Sequence, residues 1–101
     1  MTDISLSLPL KELCQLERID PDVIIEIVEY GIAQPVRGDS ASDWVFDTTT
    51  VYWIKKAIRL HVDLEIDWVA VALVVDLMQQ KETLLRENER VQYQLKRFIE
   101  K

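Results

Sequence analysis

The sequence has little of the chemistry on which disulfides, metal sites and tight turns depend. Its 101 residues include one cysteine, one histidine, two glycines and three prolines. A single cysteine excludes an internal disulfide, and one cysteine with one histidine cannot hold a zinc ion alone. Few glycines and prolines leave few chain breaks, which favours long helices over many short strands.

Basic residues are also scarce relative to acidic ones. Twelve Lys and Arg stand against 18 Asp and Glu, so the net charge is −6. Binding to nucleic acid depends on cations that displace counterions, so this balance argues against it and suits a partner with a basic face. The longest apolar run, Trp68 to Val75, is far shorter than the roughly 20 residues that span a bilayer. We expect a cytoplasmic protein with no membrane partner, and a free Cys14 is compatible with that location.

Capping patterns predict four helices. Asp20 before Pro21, Asp47 before three threonines, and Asp67 before Trp68 all place a carboxylate where a helix begins. The first helix is expected to start near Pro9 and to end near Arg18, and the second to end at Gly31, a typical left-handed terminator.

Two short segments have the patterns of strands. Residues Ile4 to Leu8 alternate between apolar and polar side chains, and Trp44 to Phe46 is a strand-like run. The residues from Gly38 to Asp43 between Arg37 and that second run have turn chemistry, which predicts a small hairpin.

The segment from Trp68 to the end contains neither glycine nor proline, which predicts one long helix or two with a bend near Gln80. Its first half is apolar nearly all round, so we expect it to be buried. Its second half has a sparse apolar row that steps by four and three, like a coiled-coil seam. This seam consists of Leu84, Asn88, Val91, Leu95 and Phe98. It fits equally a contact between two copies, hence a homodimer, and packing against the chain's own core.

The predicted second helix has two different faces. Val23, Ile24, Ile27 and Val28 form an apolar row. The opposite face consists of Asp22, Ile25, Glu26 and Glu29, which share it because their spacing is i, i+3, i+4 and i+7. An apolar centre with a charged rim is the layout of a small interface, whereas acids at a helix start are also favoured by the helix dipole alone.

The order of these elements resembles the winged helix-turn-helix of the MerR regulators. The resemblance rests on the segment Arg18–Pro35 with its Gly-apolar-x-x-Pro ending, on Trp44–Asp47 followed by Val51, and on Leu60–Asp67. It implies a mostly α fold with a small β-hairpin wing and a long C-terminal helix. It also divides the chain into a winged-helix domain at 1–78 and a C-terminal helix at 79–101.

The sequence departs from the MerR regulators at the positions that contact DNA in that family. Where those proteins have Arg and Tyr on the second helix, this chain has Asp22, Ile25 and Glu26, and Trp44 occupies the position of a wing Arg. Carboxylates that face phosphates repel them. We therefore expect the fold without its specific DNA surface.

These departures resemble those of the CbpM family of bacterial chaperone modulators. The similar segments include Glu12–Cys14, Glu26–Gly31, Ala57–Leu60, Leu64–Trp68 and Asn88–Phe98. The resemblance implies a non-enzymatic protein that binds and inhibits the J-domain of a DnaJ-like co-chaperone, CbpA, in competition with a DnaK-type chaperone. The candidate partner-binding residues are Asp22, Ile25, Glu26, Glu29 and Trp44. A MerR-like transcription regulator that binds DNA, and a structural dimeric adaptor, are the alternatives.

No set of residues predicts catalysis, a metal site, a cofactor or a small-molecule substrate. His61 is expected at the core edge or surface, and Cys14 as a small core residue, because no motif points to a nucleophile. Trp68 is expected in the core, Trp44 either in the core or as a binding anchor, and Trp53 beside a basic helix face.

Overall fold

The structure, a computed structural model, describes residues 7–100. It confirms a mostly α fold with a small sheet and a long C-terminal helix. The α-helices are α1 (Leu10–Glu17), α2 (Pro21–Glu29), α3 (Thr48–Leu64) and α4 (Trp68–Ile99). The shorter elements are β1 (Leu8–Pro9), a 3₁₀ helix at Ala41–Asp43, and β2 (Val45–Phe46).

The predicted helix starts are confirmed for α2, α3 and α4. The carboxylates of Asp20, Asp47 and Asp67 accept hydrogen bonds from backbone N–H groups two or three residues on, at 2.9, 2.7 and 2.9 Å. The predicted helix ends are confirmed as well, because Arg18 closes α1 and Gly31 follows α2, both with left-handed backbone (φ 56° and 75°). Pro9, near which the first helix was expected to start, lies at the N-cap of α1.

The sheet differs from the predicted hairpin. β1 and β2 are antiparallel, with Leu8 opposite Phe46 and Pro9 opposite Val45. The hairpin is reduced to one bridge between Arg37 and Val45, and the segment between these residues contains the 3₁₀ helix. The strand predicted for Ile4–Leu8 is found only at its end, since residues 4–6 lie outside the described residues.

The core is built from one face of each helix together with β2. Phe46, Leu13 and Ile54 have no exposed surface, and the predicted apolar row of α2 is buried at Ile24 and Ile27. The remaining buried side chains are Leu10, Ile32, Ala33, Trp53, Ala57, Trp68, Val71 and Val75. Trp53 therefore belongs to the core rather than to the border of a basic face, which corrects the prediction for it.

The helix α4 is continuous, so the alternative with a bend near Gln80 is wrong. Thirty-two residues make it about 48 Å long. The expectation that its first half is buried all round is also wrong, because only the side that faces α3 is covered and Val69 and Leu73 are 64% and 61% exposed. Among residues 7–100, no helix is long and apolar enough to cross a membrane.

Candidate functional site

The orientation of α2 is determined by its two ends and its buried side. Asp20 caps the helix, Pro21 occupies its first position, and Gly31 ends it in left-handed conformation. Ile24 and Ile27 are fully buried, so the opposite side faces solvent. This side carries the residues that we call the recognition face: Asp22, Ile25, Glu26 and Glu29.

The carboxylates of the recognition face are available to a partner. Asp22, Glu26 and Glu29 are exposed, and no cation within the described range lies close enough to form a salt bridge with them. Like charges on one helical face repel each other modestly. A basic surface that covers them would relieve this repulsion.

Ile25 is less accessible than an interface centre was expected to be. It is half-buried, although it does not pack against the core cluster. Sequence reasoning missed Tyr30, which is 48% exposed at the C-terminus of α2, one helical turn after Glu26. Its position at i+4 from Glu26 was the signal that could have found it.

The fifth predicted partner residue, Trp44, lies in a different part of the fold. It is half-buried, its carbonyl accepts a hydrogen bond from the N–H of Leu10 at 2.9 Å, and its ring meets Phe46 edge-on at 6.3 Å. These contacts join it to α1 and β2 rather than to α2. Trp44 thus supports the sheet, and it presents only part of its ring to solvent.

The predicted seam on α4 is not packed against the chain's own core. All five of its residues are exposed, with Leu84 and Phe98 at 65% and 76%. The prediction underestimated its length, because exposed apolar side chains continue along the same face toward the helix start. We call the whole row the apolar stripe: Val69, Leu73, Leu77, Leu84, Asn88, Val91, Leu95 and Phe98.

The two residues with reactive side chains serve the fold. His61 Nδ1 lies 2.6 Å from the carbonyl oxygen of Ile66, and its ring stacks on Trp68 at 4.1 Å, so it joins the end of α3 to the start of α4. Burial and the nearby Asp20 raise the pKa of the Cys14 thiol, which disfavours the reactive thiolate. Residues 7–100 contain no group of three side chains placed to hold a metal ion.

Comparison with known proteins identifies relatives along almost the whole chain. Residues 8–93 match the family described as MerR HTH family regulatory protein. The chaperone modulatory protein CbpM of Pseudomonas putida is 38% identical over 95 residues, which are 94% of this chain and 93% of that protein. The chain belongs to the CbpM family of chaperone modulators. CbpM of Salmonella paratyphi B is 30% identical over 99 residues, covering 98% of this chain and 97% of its own.

The family match and the CbpM relatives confirm the two resemblances seen in the sequence, to the MerR regulators and to CbpM. The family pattern of the MerR regulators covers β1 through most of α4, so the helix-turn-helix architecture extends over the elements that carry the recognition face. CbpM proteins are named as modulators of chaperones. The recognition face and the apolar stripe are two separate exposed surfaces of this CbpM-family chain.

Proposed function

We propose that this protein binds the J-domain of a DnaJ-like co-chaperone of the CbpA type through its recognition face and thereby inhibits it. The observation that carries the proposal is the row of exposed carboxylates on α2, which form no salt bridge with any of residues 7–100 and lie where MerR regulators have DNA-contacting Arg and Tyr. The names of its relatives support a chaperone-directed role. The protein acts in the cytoplasm by binding alone, without catalysis or a cofactor.

The proposed mechanism is steric and electrostatic. J-domains as a class present a basic helix to DnaK-type chaperones, and Asp22, Glu26 and Glu29 complement it in charge. Such charges mainly accelerate encounter and set the salt dependence, whereas a desolvated apolar contact such as Ile25 limits dissociation. An occupied basic helix cannot contact the chaperone, so inhibition follows from competition.

The decisive measurement is the affinity of the CbpA-type J-domain for variants of the recognition face. We expect Glu26→Lys to slow association, because the basic partner then meets a cation. Ile25→Ala is expected to cost about 1–2 kcal/mol of binding free energy if its remaining surface is covered. Glu89→Lys, the same charge change on exposed α4, is the matched control and should retain wild-type affinity.

Melting temperatures of these variants separate recognition from folding. Glu26 and Glu89 are exposed, and substitutions at such positions usually change stability by less than about 0.5 kcal/mol, whereas the melting temperature of Ile25→Ala shows how much stability this half-buried side chain contributes. Wild-type affinity in both α2 variants would place the J-domain interface elsewhere. Specific binding of duplex DNA near about 10⁻⁸ M at physiological salt would instead favour the alternative, a MerR-like transcription regulator.

We also propose that the apolar stripe holds two copies of the chain together. Its exposed Leu, Val and Phe side chains extend over about 45 Å of helix, a length of 30 residues from Val69 to Phe98. Soluble monomers rarely expose apolar patches larger than a few hundred Å². A second copy that offers the same row would remove this surface from water.

The sequence favours an antiparallel arrangement of the two α4 helices. With Leu84 of both copies at the twofold axis, Leu77 lies opposite Val91 of the second copy, and Lys81 opposite its Glu87. A parallel arrangement in register would instead place Lys81 against Lys81. Opposite charges across a helix pair stabilise it and like charges destabilise it, so the antiparallel register is the better fit.

Single cysteines distinguish the two arrangements once Cys14 is replaced by Ser. Leu84→Cys should form a disulfide between copies in either arrangement, whereas Leu77→Cys alone should do so only in a parallel pair. A mixture of Leu77→Cys and Val91→Cys chains should cross-link in the antiparallel pair. A monomer in sedimentation at high concentration would contradict self-association altogether.

A further inference from the structure

The charge of α3 is opposite to that of the chain as a whole. Between Thr48 and Val62 there are three cations and no acid, in a protein of net charge −6. The cations are Lys55, Lys56 and Arg59, which lie within little more than one helical turn. Tyr52 precedes them and Val62 follows them on the same side. We call these five residues the basic strip.

The basic strip is bordered by two grooves. One, of about 330 Å³, lies between the end of α1 and α3, and its apolar lining is Ile19, Ile58 and Val62. The other, of about 350 Å³, lies along the first turns of α3 and is lined by Thr48, Val51, Tyr52 and the three cations. Lys55 and Arg59 line both grooves, so each groove combines apolar surface with positive charge.

The charges of the strip are only partly neutralised. Lys55 Nζ lies 3.4 Å from a carboxylate oxygen of Glu17, and Lys56 Nζ lies 5.8 Å from the centre of the Tyr52 ring. Arg59 forms no salt bridge with any residue between 7 and 100, although Asp63 lines the same groove one turn later. The guanidinium of Arg59 therefore retains its capacity for a bidentate contact with a carboxylate.

We propose that the basic strip is a docking surface for an amphipathic, acidic helix of a partner protein. The apolar linings would accept the alkyl side chains of such a helix, and the cations would pair with carboxylates one turn apart. Nucleic acid fits less well, because three cations release few counterions and the carboxylates of Glu17 and Asp63 border the groove. The apolar linings favour a protein ligand over nucleic acid.

The basic strip shares no residue with the recognition face of α2. The proposed ligand of the basic strip is acidic, whereas the proposed ligand of the recognition face is basic. The domain then has one site for a basic partner and a separate site for an acidic partner. Binding of the first partner does not by itself exclude the second. This arrangement extends the proposed function without depending on it.

The test uses a labelled synthetic peptide of about 18 residues, or five helical turns, with leucines on one face and glutamates on its flanks. We expect it to bind the full-length wild-type chain in fluorescence anisotropy, and Arg59→Glu and Lys56→Glu to weaken binding about tenfold each. Lys96→Glu, an equal charge change on exposed α4, is the control and should change affinity less than twofold. Backbone amide shifts in NMR spectra should change along α3.

Three results with the peptide would overturn the proposal. They are equal affinity of the wild-type chain and the Lys56→Glu/Arg59→Glu double variant, equal affinity for a peptide of the same composition in scrambled order, and amide shifts confined to the apolar stripe of α4. A short DNA duplex that binds α3 more tightly than the peptide would assign the strip to nucleic acid and would equally overturn it. Melting curves of each variant show that the chain remains folded.

Discussion

The two parts of α4 carry similar side chains in different surroundings. Near its start, Trp68, Val71 and Val75 are at most 7% exposed because they pack against the core. Farther along, Leu84 and Leu95 repeat a comparable apolar spacing but are more than half exposed. The comparison shows that periodicity records which side of a helix is apolar, whereas burial depends on what is folded or bound against that side.

The largest effect that this comparison predicts is on folding. Trp68→Ala removes a buried ring that stacks on His61, and it should lower the free energy of unfolding by about 3–5 kcal/mol. Leu84→Ala, at an exposed position of the same helix, should leave the unfolding of the monomer almost unchanged. Chemical denaturation at low protein concentration measures both.

If Trp68→Ala does not fold, the milder variant Ile54→Val still measures the contribution of a buried side chain. It removes one methyl group from a fully buried side chain and should cost about 0.5–1.5 kcal/mol. Equal losses for Trp68→Ala and Leu84→Ala in the monomer would show that the two parts of α4 are equally covered, and the comparison would fail.

Local signals in the sequence were sufficient for the helices but not for their environment. The caps at Asp20, Asp47 and Asp67 were predicted correctly, because each depends on residues within three positions. The pairing of β1 with β2 was missed, because it places Pro9 opposite Val45, which is distant in the sequence, and no local pattern encodes such a contact. Burial of Trp53 was missed for the same reason.

The second prediction concerns a truncated chain that lacks the exposed C-terminal part of α4. A chain truncated after Thr83 loses no side chain that the structure describes as buried, since residues 84–100 are all exposed. It should remain monomeric and keep its affinity for the J-domain. At a total concentration about 100-fold above the dimer dissociation constant, mass action should make the full-length chain more stable than the truncated one by about 1.6 kcal/mol per chain, with a melting temperature that rises with concentration.

A melting temperature of the full-length chain that does not depend on concentration would contradict this prediction. If the truncated chain melted lower even at high dilution, the tail would stabilise the domain from within the same copy. That result would also remove the basis for a division near residue 78, which stays a prediction from the sequence.

The third prediction concerns a cap in the covered part of the molecule. Asp47 is half-buried and accepts a 2.7 Å hydrogen bond from the N–H of Thr50, and its hydrogen bonds with Thr50 hold the pKa of its carboxyl below the ordinary value of an aspartate. Asp47→Ala should cost about 1 kcal/mol at neutral pH. Because the folded-state pKa is the lower one, this contribution is complete above the unfolded-state pKa and is lost as pH falls through the folded-state value.

Denaturation of wild-type and Asp47→Ala chains at several pH values measures this difference. The two stabilities should converge only in acid, below about pH 4. A difference of the same size at low pH would mean that Asp47 stabilises α3 by packing rather than as an ionised cap. Asp67→Ala, at an exposed cap, provides the matched comparison.

The candidate site shows the same division between local and non-local information. Helical spacing correctly grouped Asp22, Glu26 and Glu29 on the solvent side of α2. It could not show that Ile25 is half-buried, nor that Trp44 packs on Phe46, because both depend on neighbours from elsewhere in the chain. Charge on a helix face is therefore predictable, whereas the accessible part of an apolar side chain is not.

The smallest predicted effect compares two exposed salt bridges. Glu82 and Arg86 lie 4.0 Å apart on α4 with both side chains at least 44% exposed, whereas Lys55 joins Glu17 at 3.4 Å between α3 and α1. A pair at i, i+4 on an exposed helix contributes about 0.3–0.5 kcal/mol, so Arg86→Ala should have at most that effect, and salt should abolish it. Lys55→Ala should cost somewhat more, because Glu17 is less exposed and its pair links two helices. Denaturation at low and high salt measures both, and a larger, salt-resistant loss for Arg86→Ala would show that this part of α4 is covered after all.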